Sequence, residues 1–377
     1  MKILYLMTEP LGIGGVQSDM LALSKGFTEK GHEYHLATKD GEIRPEFEAN
    51  GGQLHIIDFQ YSGLAGLLSA ANKLRLLIRK LGVDVVAPQS VRTSIVAWIA
   101  VRLMPFSYRI EGGNGKLPLV TTIHNIHNPV HFSYGGWILR LCADYVIFES
   151  NYERDRLLSS GLTAGRSSVV HSGIDLDKLE PMAASTHLLE QWGINSEKDI
   201  VLGIVARLSE EKGHHYLFEA LHIARQSRPE LKLLVIGDGP LRDELEAKVD
   251  SLAMRDCITF TGTQRNIPEY LSIIDVFTLS STRESFPLAA REAMASGKAV
   301  VAPRIGGCGE VVDEGSTGLL FEAANVDDLA EKIVAITAPG MSVKFGAAGR
   351  ARAEEHFSLK SWINGDEAIY IQSQKGF

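Results

Sequence analysis

Short apolar runs alternate with longer segments of helical periodicity along the whole chain. In the first half, residues 3–7, 34–38, 83–87, 119–123, 145–149 and 169–171 read as strands. In the second half, 200–206, 231–237, 258–261, 276–279 and 299–302 repeat the scheme. These runs are continuous rather than alternating, which suits strands buried on both faces, and the helical segments between them supply the crossovers of parallel sheets. The pattern predicts an α/β chain of two doubly wound, Rossmann-like domains. Residues 64–81 read as an amphipathic helix whose leucines face the core, with Lys73, Arg75, Arg79 and Lys80 on the other side. A boundary is expected between 179 and 198, where Pro181 and small polar residues follow Gly173-Ile174-Asp175, giving domains 1–178 and 179–358.

Length supports two cores, because 377 residues exceed what one hydrophobic core usually organises. The 45% hydrophobic content excludes a disordered chain. With 38 basic against 46 acidic side chains and a net charge of −8, all of it in the second half, a broad nucleic-acid-binding surface is not expected. Only five apolar residues separate Lys2 from Thr8, short of the ~7 of a secretory core, so the start reads as a buried strand. The apolar stretch 95–106 is broken by Arg102 and Pro105 and falls short of the ~20 residues that span a bilayer. Cys142, Cys257 and Cys308 have neither disulfide nor metal-ligand spacing, and reduced thiols in the cytoplasm are expected.

The chemistry concentrates in Arg283-Glu284-Ser285-Phe286-Pro287, followed by Glu292 and preceded far upstream by Arg207 and Lys212. Two cations with two spaced carboxylates suit a sugar joined to a diphosphate. Pro287 is expected at the first helical position with Ser285 or Phe286 as cap, which puts Glu284 just outside the helix and Glu292 in its second turn. The start of that helix favours an anion. Gly12, Gly14 and Gly15 follow the first strand and let backbone approach a ligand closely. A dinucleotide fingerprint is incomplete there, because Gln17 stands in the place of the third glycine.

Ala206-Arg207-Leu208 with Lys212-Gly213, Ile236-Gly237-Asp238-Gly239-Pro240, the segment from Glu284 to Glu292, and Gly306-Gly307 with Glu310 occur in this order in the second half. Together the chain resembles the retaining nucleotide-sugar glycosyltransferases of family 4, glycosyl transferases group 1, with the two-domain GT-B fold. Thinner matches in the first half are Gly14-Gly15, Thr122-Ile123-His124-Asn125, Ser150-Asn151 and Gly173-Ile174-Asp175. The resemblance implies two domains facing across a cleft, acceptor binding on the first, donor binding on the second, and a last helix, about 359–377, crossing back to the first.

The resemblance also implies residue roles. Arg207 and Lys212 would stabilise the leaving diphosphate in place of a metal. Glu284 would face the sugar, Glu292 would hold the ribose hydroxyls, and Gly15, Gly237, Ser285, Phe286 and Glu310 would contact the donor. His124 would hydrogen-bond a sugar hydroxyl or align the reacting centre, ahead of His127 and His131. Asp175 and Asp177 share the spacing of a metal-binding pair, but the family uses that segment otherwise. No cofactor and no metal are expected, the donor being a nucleotide diphosphate sugar, most readily a UDP- or GDP-sugar. The expected activity is transfer of a hexosyl unit to a glycan or glycolipid in cell-surface polysaccharide or lipopolysaccharide synthesis. Peripheral contact with an anionic membrane through 64–81 stands beside an ordinary packing helix. A nucleotide-sugar 2-epimerase and a non-catalytic nucleotide-sugar-binding partner remain as alternatives.

Overall fold

A computed structural model describes residues 1–12, 14–103, 116–124 and 129–376. The chain forms two compact units, Met1–Gly173 with Leu359–Phe377, and Ile174–Ser358.

In the first unit β1 (Lys2–Leu6), β2 (Glu33–Thr38), β3 (Gln53–Ile56) and β4 (Val85–Pro88) form a parallel sheet in the order β3-β2-β1-β4. A parallel bridge from Val86 to Leu119 leads on to β5 (Val120–Ile123), β6 (Tyr145–Phe148) and β7 (Ser167–Val169), in the order β5-β6-β7. The apolar runs became strands because both faces are covered: Leu4 and Leu6 pack on one side, Ile3 and Tyr5 on the other, all fully buried. The chain winds from β1 outward to β3, then returns to place β4 on the other flank of β1. Ligands of such sheets bind beyond the strand C-termini at that reversal.

The second unit repeats the plan. Strands β8 (Ile200–Val205), β9 (Leu231–Ile236), β10 (Ile258–Gly262), β11 (Val276–Thr278), β12 (Ala299–Pro303) and β13 (Gly318–Phe321) form one parallel sheet, ordered β10-β9-β8-β11-β12-β13. Its reversal lies between β8 and β11.

Three expectations change. The apolar pattern missed β3 and β13, both edge strands: β3 reads Gln-Leu-His-Ile with a half-exposed face, and β13 is only a short run after a glycine. Edge strands need no apolar residues on both faces, so the continuous-run signal fades there. The second unit begins at Ile174 rather than 179, because Ile174 bridges Ser358 and its N–H donates to the Phe357 carbonyl at 2.8 Å. Finally, the helix Gly63–Leu81 buries Ala70, Ala71, Leu74 and Ile78, whereas Leu64, Leu68 and Leu76 are exposed. Its leucines therefore do not all face the core. Ala70 and Ala71 share the buried face with Leu74 and Ile78, with Leu67, Leu77 and Leu81 packed partly on the same core, while Leu64, Leu68 and Leu76 share the surface with Lys73, Arg79 and Lys80.

Candidate active site

The loops leaving β8 and β11 meet at the reversal of the second sheet. Backbone hydrogen bonds join them to their neighbours. Leu208 N–H donates to the Asp238 carbonyl at 3.1 Å, Thr282 N–H to that of Glu211 at 2.8 Å, and Gly307 N–H to that of Ser285 at 2.8 Å. Two glycines permit this closeness. Gly306 (φ +53°) would place a Cβ 1.7 Å from the Glu284 carbonyl oxygen, and Gly237 (φ +140°) would place one 2.0 Å from that of Ala206. Any side chain at either position must push a loop away.

This stitching sets the chemistry. Lys212 Nζ lies 2.6 Å from Glu284 Oε1, and Ser281 Oγ donates to the same oxygen at 2.7 Å. Ser280 Oγ donates to the Lys212 carbonyl at 2.9 Å, fixing the cation from its own backbone. The Glu284 side chain is only 9% exposed and that of Lys212 is 26% exposed, so the pair sits at the wall with its cation toward solvent. A largely buried ion pair gains little stability over an apolar pair, because desolvation offsets the attraction. Its place at a strand reversal points to ligand binding. Arg207, in the same β8 loop, is exposed, and its guanidinium has no hydrogen bond or ion pair among the described residues. The expected cations thus differ: Lys212 is anchored by Glu284, and Arg207 extends into solvent.

Pro287 is not the first helical residue. It is the N-cap of the helix Leu288–Ala295, with extended backbone (ψ 111°), and neither Ser285 nor Phe286 caps the helix. The carbonyls before it are drawn elsewhere, that of Ser285 to Gly307 N–H and that of Phe286 to Arg291 Nη2 at 3.3 Å. Ser285 Oγ is buried with no hydrogen-bond partner among the described residues. Phe286 meets Phe357 edge-on at 5.7 Å and lies under the Arg291 guanidinium at 4.5 Å. Arg291 is 1% exposed and supports the Ser285–Phe286 turn from beneath. Glu292 follows in the helix. Burial pushes its carboxyl up to about 7, against the opposing pull of Arg291. Glu310 lies in the short helix Cys308–Val311, whose Glu310 and Val311 carbonyls accept from Arg352 at 2.9 and 3.0 Å. Cys308 is fully buried and its thiol is pushed far up by burial, which leaves it inert.

In the first unit, Gly15 opens the helix Gly15–Glu29 after β1, and a Cβ there would meet nothing within 4 Å. His124 follows β5 directly and is buried. Its Nδ1 is 2.8 Å from Glu149 Oε1 and 3.6 Å from Asp19 Oδ2, and its Nε2 is 2.6 Å from Gln89 Oε1. Burial alone would lower its basicity, but Glu149, Asp19 and Asp366 outweigh it and lift His124 to about 9. Burial, with Glu149 beside it, raises Asp366 to about 8. Asp19, His124 and Glu149 bring their polar atoms within 4.8 Å of one another. The 2.8 Å approach is that of a hydrogen bond, since two ligands of a tetrahedral ion at ~2.0–2.1 Å stand more than ~3 Å apart. Asp175 and Asp177 do not join a metal-ligand grouping among the described residues. Asn125, His127 and the side chain of His131 lie outside the described residues.

Sequence reading missed Ser281, Arg291 and Arg352 in the second unit and Gln89, Glu149, Asp19 and Asp366 in the first. Only two of these left a signal. Arg291 is a cation inside an otherwise apolar helical face, and Glu149 ends an apolar strand next to the cap residue Ser150.

Known proteins resemble the chain in sequence and in fold. Residues 13–178 match the model of Glycosyltransferase Family 4, and residues 187–352 that of Glycosyl transferases group 1. The chain is 27% identical over 241 residues to a 2-deoxystreptamine glucosyltransferase of Streptomyces kanamyceticus, covering 62% of each chain. It is 29% identical over 231 residues to a GDP-mannose-dependent alpha-(1-6)-phosphatidylinositol monomannoside mannosyltransferase of Mycolicibacterium smegmatis, covering 58% of this chain and 59% of that one. The aligned part thus spans about three fifths of these curated relatives. The crystal structure of Anabaena Alr3699/HepE in complex with UDP and glucose superposes with a TM-score of 0.82 at 23% identity, over 99% of this chain and 100% of that one, which shows the GT-B fold of two Rossmann-like domains. With both halves matched by their models, the chain belongs to the family 4 glycosyltransferases, glycosyl transferases group 1.

Proposed function

We propose that the protein is a retaining, metal-independent glycosyltransferase that moves a hexosyl unit from a nucleotide diphosphate sugar to a hydroxyl of a glycan or glycolipid. The observation that carries this reading is the Lys212–Glu284 pair at the reversal of the second sheet, with Arg207 exposed beside it. Departure of the nucleoside diphosphate builds negative charge on phosphate oxygens. An anchored ammonium and a guanidinium supply positive charge there without reorganisation, the role a metal fills elsewhere. Glu284 both holds Lys212 and offers its carboxylate to the sugar. Glu292 accepts from the ribose hydroxyls, while the unpartnered Ser285 hydroxyl and the Phe286 turn, propped by Arg291, meet the donor. Gly237 and Glu310 border the diphosphate. In the first unit, the open space over Gly15 suits an approaching phosphate, and His124 aligns the chain leaving β5. Retention of configuration is the family's expectation.

The acceptor is a membrane-bound or membrane-proximal glycolipid. The relative that acts on a phosphatidylinositol mannoside supports a lipid acceptor, and so does the helix Gly63–Leu81. That helix exposes Leu64, Leu68 and Leu76 beside Lys73, Arg79 and Lys80, and contains no acidic residue. Exposed leucines among cations suit the face of an anionic bilayer. No helix among the described residues is long and apolar enough to cross a membrane.

The test is product analysis by proton NMR with UDP- and GDP-hexoses, with and without lipid-linked glycan acceptors. The reading expects acceptor-dependent transfer with the donor's anomeric configuration kept. A free or nucleotide-bound 2-epimer formed without acceptor would replace it with epimerase activity, and no turnover of any donor would contradict it.

A further inference from the structure

The densest grouping of buried ionisable side chains outside the Lys212–Glu284 site is the one around His124. Five elements contribute. Gln89 follows β4, His124 follows β5 and Glu149 follows β6, while Asp19 comes from the helix Gly15–Glu29 and Asp366 from the helix Leu359–Lys375. All five are buried, Asp366 at 1% exposure.

The protonation of the ring can be read from its neighbours. Gln89 Nε2 donates to the Ala87 carbonyl at 3.0 Å, which fixes the amide so that Oε1 faces His124 Nε2. An amide oxygen only accepts, so Nε2 carries a proton. On the other side, Nδ1 faces the carboxylates of Glu149 and Asp19. A bare lone pair aimed at two buried carboxylates is repulsive, so a proton must lie on that side too, on Nδ1 as long as Glu149 is ionised. Both N–H groups then donate to the protein. The ring has none left for a sugar hydroxyl, which replaces the expectation that His124 bonds the donor through its imidazole.

We propose that Glu149 and Gln89 are positioning residues that lock His124 as a doubly donating imidazolium, tying the C-terminal ends of β4, β5 and β6 into one rigid edge beside the reversal of the first sheet. The charges around the ring agree with this. Asp19 from one helix and Glu149 from β6 oppose the cation, Gln89 from β4 is neutral, and Asp366 relieves the surplus by keeping its own proton, its carboxyl being raised to about 8. The consequence for catalysis rests on the transferase reading, whereas the protonation state does not. The chain leaving β5 is held in one geometry, so loss of the lock is expected to lower kcat and to leave donor KM nearly unchanged.

The test is long-range proton–nitrogen NMR of the full chain labelled with nitrogen-15 in histidine, the His124 signals being assigned with His124→Asn. The expected result at pH 8 is the imidazolium pattern for His124, when exposed histidines are neutral. Glu149→Gln is expected to convert the ring to the neutral form at pH 8, to lower kcat at least tenfold, and to move the alkaline limb of the kcat profile down by a pH unit or more. Gln89→Met is expected to lower kcat in the same direction, and Glu149→Asp to restore part of it. A neutral ring in the wild type, or ring signals that change on chelation because Nδ1 holds a metal, would overturn the proposal. So would a Glu149→Gln enzyme with unchanged kcat and pH profile. If a variant fails to fold, the wild-type spectrum alone decides. An imidazolium in a protein that turns over no donor would sink the transferase reading and leave the lock standing.

Discussion

Each unit buries a histidine beyond the C-terminal ends of its strands, and the two are treated in opposite ways. His124 in the first unit has three carboxyl groups around it, two of them ionised, and both nitrogens bonded, and is lifted to about 9. His214 in the second unit begins the helix His214–Ala224 one residue past Gly213. It is 1% exposed with neither nitrogen bonded among the described residues, and burial, with Lys212 nearby, lowers it to about 4. One histidine is a buried cation in an acidic nest, the other an apolar packing element beside a working cation. In the second unit the charge that faces solvent belongs to Lys212 and Arg207, and a charged His214 would add a third cation to a buried wall. The strand ends of the two units thus differ: the first is acid-rich around one held cation, and the second carries Lys212 and the exposed Arg207.

Breaking the second unit's pair has the largest expected effect. Lys212→Ala should lower kcat by about 10²–10³-fold, the range for removing one preorganised group from a developing anion, with the native circular dichroism kept although the unpaired Glu284 lowers the melting temperature. Glu284→Gln should fall as far, and the double variant should cost less than the two losses combined because the residues act as one unit. Additive losses in steady-state assays would separate the two roles.

Next come the glycines, which distinguish a fold requirement from a ligand requirement. Gly306→Ala should destabilise by about 1–3 kcal/mol, since its Cβ must displace the Glu284 backbone, and should lower activity with it. Gly15→Ala, whose Cβ meets no protein atom, should keep its melting temperature while donor KM rises. A drop in stability for Gly15→Ala would remove the claim that the space there is kept for a ligand.

The histidines should give pH dependences of opposite sign. His214 has its folded value below the unfolded ~6.5, so its neutral form is fully tolerated above pH 6.5 and stability is lost as pH falls toward about 4, by up to about 3 kcal/mol. His124 has its folded value above the unfolded one. Its contribution is complete below pH 6.5 and is lost as pH rises through about 9. Denaturant melts of wild type and His214→Leu at pH 5 and pH 8 should show the variant gaining relative stability at pH 5. Parallel behaviour at both values would refute the assignment of His214 as a neutral packing group.

The smallest effect concerns the surface of the first unit. Replacing Leu64, Leu68 and Leu76 with serine should leave the unfolding free energy within about 1 kcal/mol of wild type, because these side chains are already exposed. Co-flotation with anionic vesicles at low salt should fall several-fold. A wild-type protein that does not float would end the membrane proposal.

The same contrast explains what the sequence made legible. The second unit's candidate site is built from loops whose backbone geometry marks them in the sequence: Gly237 and Gly306 are needed for the approach of the loops, and Lys212, Glu284 and Glu292 follow within or beside those loops. The strands of both sheets were legible wherever both faces are buried, and illegible at the edges β3 and β13. Around His124 nothing is local. Asp19, Gln89, Glu149 and Asp366 meet only after five elements fold, and no spacing in the chain announces them. Polarity misled in the other direction on the helix Gly63–Leu81, where Ala70 and Ala71 join Leu74 and Ile78 in the core while Leu64, Leu68 and Leu76 stay exposed. Pro287 was assigned one position too far into its helix because a proline suits either the cap or the first turn, and the tie was broken by where the Ser285 and Phe286 carbonyls find donors.

The central claim is a diphosphate site anchored by Lys212. Its most direct test is calorimetric titration of UDP, GDP and ADP into wild type and Lys212→Ala with excess chelator present. The account predicts that one nucleoside diphosphate binds the wild type without metal and that the substitution weakens it by at least tenfold. Binding of none, binding that requires a divalent ion, or equal affinity in the variant would contradict it.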